Sequence, residues 1–435
     1  MKNSLKTSDI LAVGFMLFAF FLGAGNIIFP PLSGQLAGEN VLSAMLGFLV
    51  TAVGLPLVTI IAVAIAGGTW DHLTKDLPVK AATLMAVLIF IIIGPAFAAP
   101  RTGLVAYEMA VKPFLVDAGQ TSLTLFSILF FMVAMFFAWS QGKLIDVIGK
   151  FLTPTLMIGL LILAVAVFVN PQGDILAAQG DYVDQAFTKG FLEGYNTMDT
   201  FASLMFGMLL VEAIKNKGVT DQKAITQYLI YAGTIAAIGL AVVYISLFYL
   251  GATSLSIAAG ADNGGVILSL YTHALFGSYG QVILSLIVLL ACLTTAIGLV
   301  SACSDYFSSI TRVPYKVWVI VVGSSCALVA NVGLSQLITL SVPMLFALYP
   351  IAIALVALTF TRKWMPNPQL SYRVVMLVSL CFALLDAAKV SGIDVSAFNM
   401  LPMFEYGMAW VLPTASAIIC MCFIGSKEES AIEAA

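Results

Sequence analysis

Residues 21–31 read "FLGAGNIIFPP" inside an apolar stretch that runs from Ile10 to Leu32. Glycines, an asparagine and a proline pair in such a run suit one kind of chemistry. Gly23 and Gly25 let the main chain leave helical geometry, and Pro30 and Pro31 have no N–H to give to a helical ladder. A break there frees the amides of Ala24, Gly25 and Asn26 at the start of a new helical segment, where the partial positive charge attracts a carboxylate or another anion. The alternative is a kinked helix whose glycines serve close packing. A second stretch bears on the choice: residues 193–203, "EGYNTMDTFAS", set Asn196, Thr197 and Asp199 in the middle of another apolar run. An ionisable group at such depth is costly and by default functional. Asp199 can pair with an ammonium, ligate a cation or carry a proton; alternatively it caps the helical segment that follows it.

The elements that must hold these residues are helices in a membrane. Of 435 residues, 61% are hydrophobic and 9% charged, with a mean hydropathy of +1.05. Soluble domains carry about 25% charged residues, so this composition specifies an integral membrane protein. A spanning helix takes about 20 mostly apolar residues, and twelve windows qualify: 10–33, 40–66, 79–105, 121–140, 144–169, 187–213, 224–251, 281–304, 316–334, 336–360, 370–388 and 404–424. The shorter piece 265–277 reads as a helix within a loop. All windows are longer than barrel strands and none alternates with period two, so the fold class is all-α polytopic.

Twelve spans put both termini on one side of the bilayer. With a cytoplasmic amino terminus, the inner segments collect Lys2, Lys6, Lys75, Lys80, Lys143, Lys150, Lys215, Lys217, Lys223, Arg312, Lys316, Arg362, Lys363, Arg373 and Lys427. The outer segments keep Arg101, Lys112, Lys189 and Lys389, and the loop 170–184 carries Asp174, Asp181 and Asp184 without a base. The positive-inside rule therefore predicts cytoplasmic termini, and Trp70, Trp139, Trp318 and Trp364 fall near the predicted cytoplasmic helix ends. Arg101, after "GPAFAAP", reads as a gate charge or as a snorkelling interfacial arginine, and it stands outside the predicted site. Lys2, Lys6, the apolar run and "GAG" have the outline of a cleaved signal peptide; hydrophobicity resumes beyond the prolines, so the first helix is expected to stay and act as its own signal.

Several function classes are disfavoured. His72 and His273 are both expected in loops, so neither a buried Ser/His dyad nor a two-histidine zinc site on a helix can be built. Asp199 and Asp386 lack the motif context of an intramembrane aspartyl pair, and no enzyme is expected. Cys292, Cys303, Cys326, Cys381, Cys420 and Cys422 lie in predicted helices without metal-ligand spacing and read as packing residues. The net charge of -3 comes with no basic patch, so nucleic acid is not a partner. No linker or soluble domain interrupts the chain, which predicts one transmembrane domain over 1–435 that needs the lipid bilayer and no obligatory protein partner.

The first and sixth windows are both interrupted. Two repeats of five helices are odd-numbered units, so the second must be inserted upside down, and interrupted helices at matching positions point to a midplane binding site of the secondary-transporter kind. This predicts repeat one over 10–169, repeat two over 187–360 and two accessory helices over 370–424.

"GAGNIIFPP" in the first window, "GYNTMDTFAS" in the sixth and "CLTTAIGLVSA" in the eighth resemble the bacterial branched-chain amino acid carrier family, cation symporters with the LeuT-like five-plus-five inverted repeat. The resemblance runs over essentially the whole chain. It implies uptake of leucine, isoleucine and valine across the bacterial inner membrane, driven by sodium or in some members by protons, with no cofactor beyond the coupling ion. Carried over residue by residue, it makes Ala24 and Gly25 the amides that hold the substrate carboxylate, next to Gly23 at the break, with Asn26 orienting the break or helping to ligate an ion. Tyr195 would cover the site, and Asn196, Thr197 and Met198 would offer carbonyls to the ammonium. The sixth helix here lacks the paired glycines of some relatives, which leaves the bounds of its break open.

Sodium is a hard cation that needs several oxygen ligands. The resemblance implies carbonyls of Ala19 and Leu22 and hydroxyls of Thr294 and Thr295, with Asp199 a further candidate. Without it, the threonine pair reads equally as hydroxyls bonded back to the preceding turn. Met198 and Phe201 are expected as apolar walls. One methylene changes binding by about 1–3 kcal/mol, so the three branched substrates should share the site. The implied mechanism is alternating access, in which ion and substrate bind from outside and leave inside. The other readings are a proton-coupled or other neutral amino acid transporter and, from a different class, a passive channel or a membrane substrate sensor.

Overall fold

The structure, a computed structural model, describes residues 5–115, 118–140, 148, 150 and 152–424. Among these residues it is made of helices and connecting turns, with no strand. Helices fall on the predicted windows. The first holds α1 (Thr7–Phe21) and α2 (Ala24–Ala37); the second holds α3 (Val41–Leu49) and α4 (Leu55–Ala66), joined through a wide turn at Val50–Gly54. After the single turn α5 (Trp70–Leu73), the third holds α6 (Val79–Ile91) and α7 (Ala98–Ala106). Then come α8 (Gln120–Ala138), α9 (Thr153–Val169), the pair α10 (Tyr182–Glu193) and α11 (Asp199–Asn216), and α12 (Gln222–Ala252). The loop helix is α13 (Gly264–Phe276), whose amino terminus is capped by Asn263 accepting from the Gly265 and Val266 amides. The chain continues through α14 (Ser278–Ile310), α15 (Tyr315–Val329), α16 (Leu334–Thr361), α17 (Pro368–Val390) and α18 (Val411–Phe423).

Among the described residues, six helical runs are long and apolar enough to cross a membrane, or seven if the bent pair Tyr182–Thr197 and Asp199–Asn216 forms one span. One run, Ala24–Ala66, covers the end of the first window and the whole second one. Thr7–Phe21, Thr153–Val169, Tyr315–Val329 and Val411–Phe423 are shorter apolar helices, and α17 carries Arg373, Asp386 and Lys389. The chain is an integral membrane protein. Lys2, Lys143 and Lys427 of the charge count, and residues 144–147, 149 and 151 of the fifth window, lie outside the described residues. The third window, predicted as continuous, is broken: Gly94 has φ -85°, ψ -116° and Phe97 has φ -136°, ψ -61°, with Pro95 between them unable to donate.

The chain divides into two compact units. The first comprises Met1–Ile61 and Phe90–Ile338 and contains every predicted site residue. Its helices meet where side chains are smallest. Gly34 of α2 abuts the Phe248 carbonyl of α12, and Gly251 of α12 abuts the Pro31 carbonyl of α2. The same reciprocal arrangement joins α3 and α10, where Gly47 abuts the Phe187 carbonyl and Gly190 the Ala44 carbonyl. Small residues let main chains touch, and such close packing substitutes for the hydrophobic effect inside lipid. The second unit comprises Ala62–Ile89 and Thr339–Ala435. In it Arg362 forks onto Asp76 at 2.6 and 3.3 Å, and the buried Asp386 accepts from the Ala409 amide at 3.3 Å.

Candidate functional site

The main chain leaves the helix where the glycines allow it. Leu22 takes ψ 74°, Gly23 is extended at φ -103°, ψ -163°, and α2 starts afresh at Ala24. Asn26 fixes the turn from below: its Oδ1 accepts from the Gly23 amide at 3.2 Å. A Cβ on Gly23 would press on the Thr295 side chain at 2.9 Å, and one on Gly25 would meet the Asn196 carbonyl at 3.0 Å and the Arg101 guanidinium at 3.3 Å. Both glycines are therefore demanded by close approach.

The second break lies across the cleft. Gly194–Thr197 tightens into a 3-10 turn, Met198 takes the left-handed conformation (φ 63°, ψ 14°), and α11 departs from Asp199 at 43° to the preceding segment. The Thr197 hydroxyl donates to the Gly194 carbonyl at 2.8 Å and accepts from the Asp199 amide at 3.4 Å. α11 starts after Met198 without a side-chain cap, so the capping role expected as one option for Asp199 is not what its carboxylate does. The Asp199 carboxylate instead accepts from Asn26 Nδ2 at 2.6 Å and from the Tyr244 hydroxyl at 3.1 Å, and Asn26 Nδ2 also contacts that hydroxyl. These three buried groups tie α2, α11 and α12 together.

The cleft is lined by Gly23, Ala24, Gly25, Asn26, Thr197, Met198, Asp199 and Thr295 from the predicted set. Phe20, Phe21, Ile93, Ala98, Arg101, Thr102, Ala202 and Leu299 complete it. Its free space is about 20 Å³, room for about one water molecule. Tyr195 is buried against Phe191 with ring centroids 5.6 Å apart, and Phe201 is fully buried; neither lines the cleft. Asn196 does not line the cleft either: its side chain turns to Glu193 at 2.9 Å, and its carbonyl accepts from Arg101 at 2.8 Å.

Arg101, read as a gate charge or a snorkelling interfacial arginine and left outside the predicted site, lines the cleft. It is 3% exposed, its Nη2 donates to the Asn196 carbonyl at 2.8 Å, and its guanidinium lies 5.5 Å from the centre of the Phe29 ring. The break at Gly94–Phe97 starts α7 beside the cleft and puts Arg101 in its first turn. Three helix amino termini, those of α2, α7 and α11, thereby share one small space, and their dipoles favour an anion in it.

The threonine pair meets the end of α1. Thr294 and Thr295 each donate to the Ala19 carbonyl at 3.1 Å, while Thr294 also reaches the Ala291 carbonyl one turn back at 3.0 Å. Leu22, three residues after Ala19, is fully buried, with its amide on the Phe18 carbonyl at 2.9 Å. Helix carboxyl termini carry partial negative charge, so this is a chemically suitable oxygen set for a hard cation. Hydrogen bonds of Asp199 among the described residues reach neither threonine. A larger groove of about 460 Å³ runs along α1, α9 and α12 past Phe18, Leu161 and Val242, but it is almost wholly apolar and offers no group to orient a charged ligand.

Residues 6–428 match the family described as branched-chain amino acid transport protein. The chain is 45% identical over 434 residues to the branched-chain amino acid transport system 2 carrier protein of Pseudomonas aeruginosa, covering 98% of this chain and 99% of the relative. It is 42% identical over 424 residues to the branched-chain amino acid permease BrnQ of Escherichia coli, with 96% of each chain covered. Among solved structures it resembles the Na+-coupled sialic acid symporter (TM-score 0.66, 15% identity, 96% of this chain and 90% of the other). It also resembles MhsT in complex with L-phenylalanine (TM-score 0.60, 17% identity, 94% and 98%). These likenesses establish a LeuT-like fold. With its fold, its family match and relatives that agree from end to end, the chain belongs to the branched-chain amino acid transport protein family, and is a transporter rather than an enzyme.

Proposed function

We propose that this protein imports leucine, isoleucine and valine by symport with sodium, through alternating access around the cleft between the two main-chain breaks. The observation that carries the reading is that the start of α2 (Ala24–Asn26) and the second break (Thr197–Asp199) line one buried space, with the Asn196 carbonyl held by Arg101 from that lining. A zwitterion fits that polarity: its carboxylate goes to the α2 amino terminus, with Gly23 giving the chain room to turn, and its ammonium goes to the carbonyls of Asn196 and Thr197, the Met198 carbonyl being taken by the Ala202 amide. Phe20, Phe21, Ile93 and Leu299 offer the apolar surface a branched side chain needs. The named relatives carry branched-chain amino acids, which supports this substrate class.

Sodium would be held by the Ala19 and Leu22 carbonyls with the Thr294 and Thr295 hydroxyls. Thr295 also lines the cleft and packs against Gly23, so an ion that orders this corner orders the amides that receive the carboxylate. A ligand shifts a conformational equilibrium only through its differential affinity, and this contact supplies one. The sodium coupling named for the sialic acid symporter supports the choice of ion. Proton coupling is the second reading, favoured by the buried Asp199 carboxylate within the same cleft. The free space has room for about one water, so a leucine enters only as the walls part, as alternating access requires.

The topology that accompanies this reading has twelve spans, cytoplasmic termini in a bacterial inner membrane, inverted repeats over 10–169 and 187–360, and accessory helices over 370–424. The glycine seams support the repeats: the first interrupted window packs on the seventh and the sixth on the second, which is the exchange that swapping two five-helix units produces. Counterflow of labelled leucine in proteoliposomes, with and without sodium, tests the function. Accumulation against a gradient that rises with inward sodium is expected; equilibration without accumulation would mean a channel, and accumulation indifferent to sodium would remove the ion assignment.

A further inference from the structure

We propose that Arg101 is a substrate ligand: its guanidinium binds the carboxylate from the side opposite the Ala24 and Gly25 amides and makes the site selective for α-carboxylates. The inference rests on the reading that a branched-chain amino acid occupies the cleft, and it adds a charged partner that reading lacked. Four observations carry it. Arg101 is 3% exposed and lines the same space as Ala24 and Gly25. Its Nη2 would lie 3.3 Å from a Cβ placed on Gly25, so the guanidinium stands beside the start of α2. Its orientation is fixed from two sides, by the Asn196 carbonyl at 2.8 Å and by the Phe29 ring. It also stands in the first turn of α7, the end of a helix at which a cation is disfavoured.

An arginine at a positive helix end attracts an anion. The Asp199 carboxylate lines the same cleft, where its Oδ2 accepts from Asn26 and Tyr244. A planar guanidinium has five N–H donors in a fixed fork, and charge-assisted bonds to carboxylates are the strong ones. A substrate carboxylate placed on the α2 amides would lie within reach of that fork. Because Arg101 also holds the Asn196 carbonyl, the ligated substrate would connect both interrupted segments through one side chain.

The test is equilibrium binding to the purified full-length protein in sodium, with L-leucine and with leucinol, which keeps the ammonium and the branched side chain and lacks the carboxylate. The wild type should prefer leucine by about a hundredfold, and Arg101→Gln should lower leucine affinity by at least about tenfold while moving leucinol by less than about threefold, as loss of a carboxylate-specific charged bond requires. Arg101→Lys, which keeps charge without the fork, should fall between them and serves if the glutamine variant does not fold. An unchanged leucine-to-leucinol ratio, or equal weakening of both ligands, would overturn the role of Arg101 while leaving the transport reading intact. Failure of the wild type to bind leucine would end both.

Discussion

Thr295→Val removes one hydroxyl and keeps the side-chain shape. In the fold the loss is small, because the Ala19 carbonyl keeps the Thr294 hydroxyl at 3.1 Å and is not orphaned. One neutral buried hydrogen bond is worth about 0.5–1.5 kcal/mol. A cation ligated by the same hydroxyl loses an oxygen of the charge-assisted kind, about 1.5–3 kcal/mol, or roughly 10- to 150-fold in affinity. Leucine uptake into proteoliposomes, titrated with sodium at fixed leucine, should show the half-saturating sodium concentration rising by at least about tenfold within that range. Coupling is reciprocal, so leucine affinity should fall at low sodium and recover at high sodium. Thr294→Val should do less, since its hydroxyl is shared with the Ala291 carbonyl. An unchanged sodium dependence in both variants, or a loss that no sodium concentration restores, would refute the assignment.

Gly25→Val should abolish leucine binding, because its first added carbon sits 3.0 Å from the Asn196 carbonyl and fills the volume in front of the amides; binding by the detergent-solubilised protein checks this. Tyr244→Phe removes one donor to the Asp199 carboxylate while Asn26 keeps another, which should cost about 1.5–3 kcal/mol, read as a lower Tm. Gly251→Ala drives a methyl into the Pro31 carbonyl and should destabilise by about 1–3 kcal/mol through overpacking. Gly54→Ala, whose added carbon would meet nothing nearer than the Leu49 carbonyl at 3.7 Å, is the control that should melt like the wild type.

Hydropathy made the helices legible because the bilayer imposes one rule on every span. The break at residues 22–23 was legible for a related reason: glycines and prolines act on the main chain locally, and their effect is written where they stand. The same signal was present in "GPAFAAP" and points to the break at Gly94–Phe97, although a window average over 79–105 hides it. Arg101 escaped because hydropathy reports how apolar a stretch is and not which way a side chain faces. Near the end of a window an arginine looks interfacial; one turn after a break it lies 97% buried against the site. Tyr244 was illegible altogether, since its partners Asn26 and Asp199 are 218 and 45 residues away and no spacing rule reaches that far. Asp199 does not cap α11 because its carboxylate is drawn to Asn26 and Tyr244 on other helices, a competition that residue types alone do not decide.

Met198 pivots the chain at φ 63° with a full side chain, where glycine would turn freely. For an L-residue this conformation lies about 1–2 kcal/mol above the right-handed one, and the Met198 amide on the Tyr195 carbonyl and the Ala202 amide on the Met198 carbonyl, both at 3.0 Å, clamp it there. The pivot is a cocked spring whose thioether arm is also part of the cavity lining. Any rearrangement that let residue 198 swing back to right-handed geometry would be downhill locally by that amount, roughly a five- to thirtyfold bias, at a residue that lines the cavity.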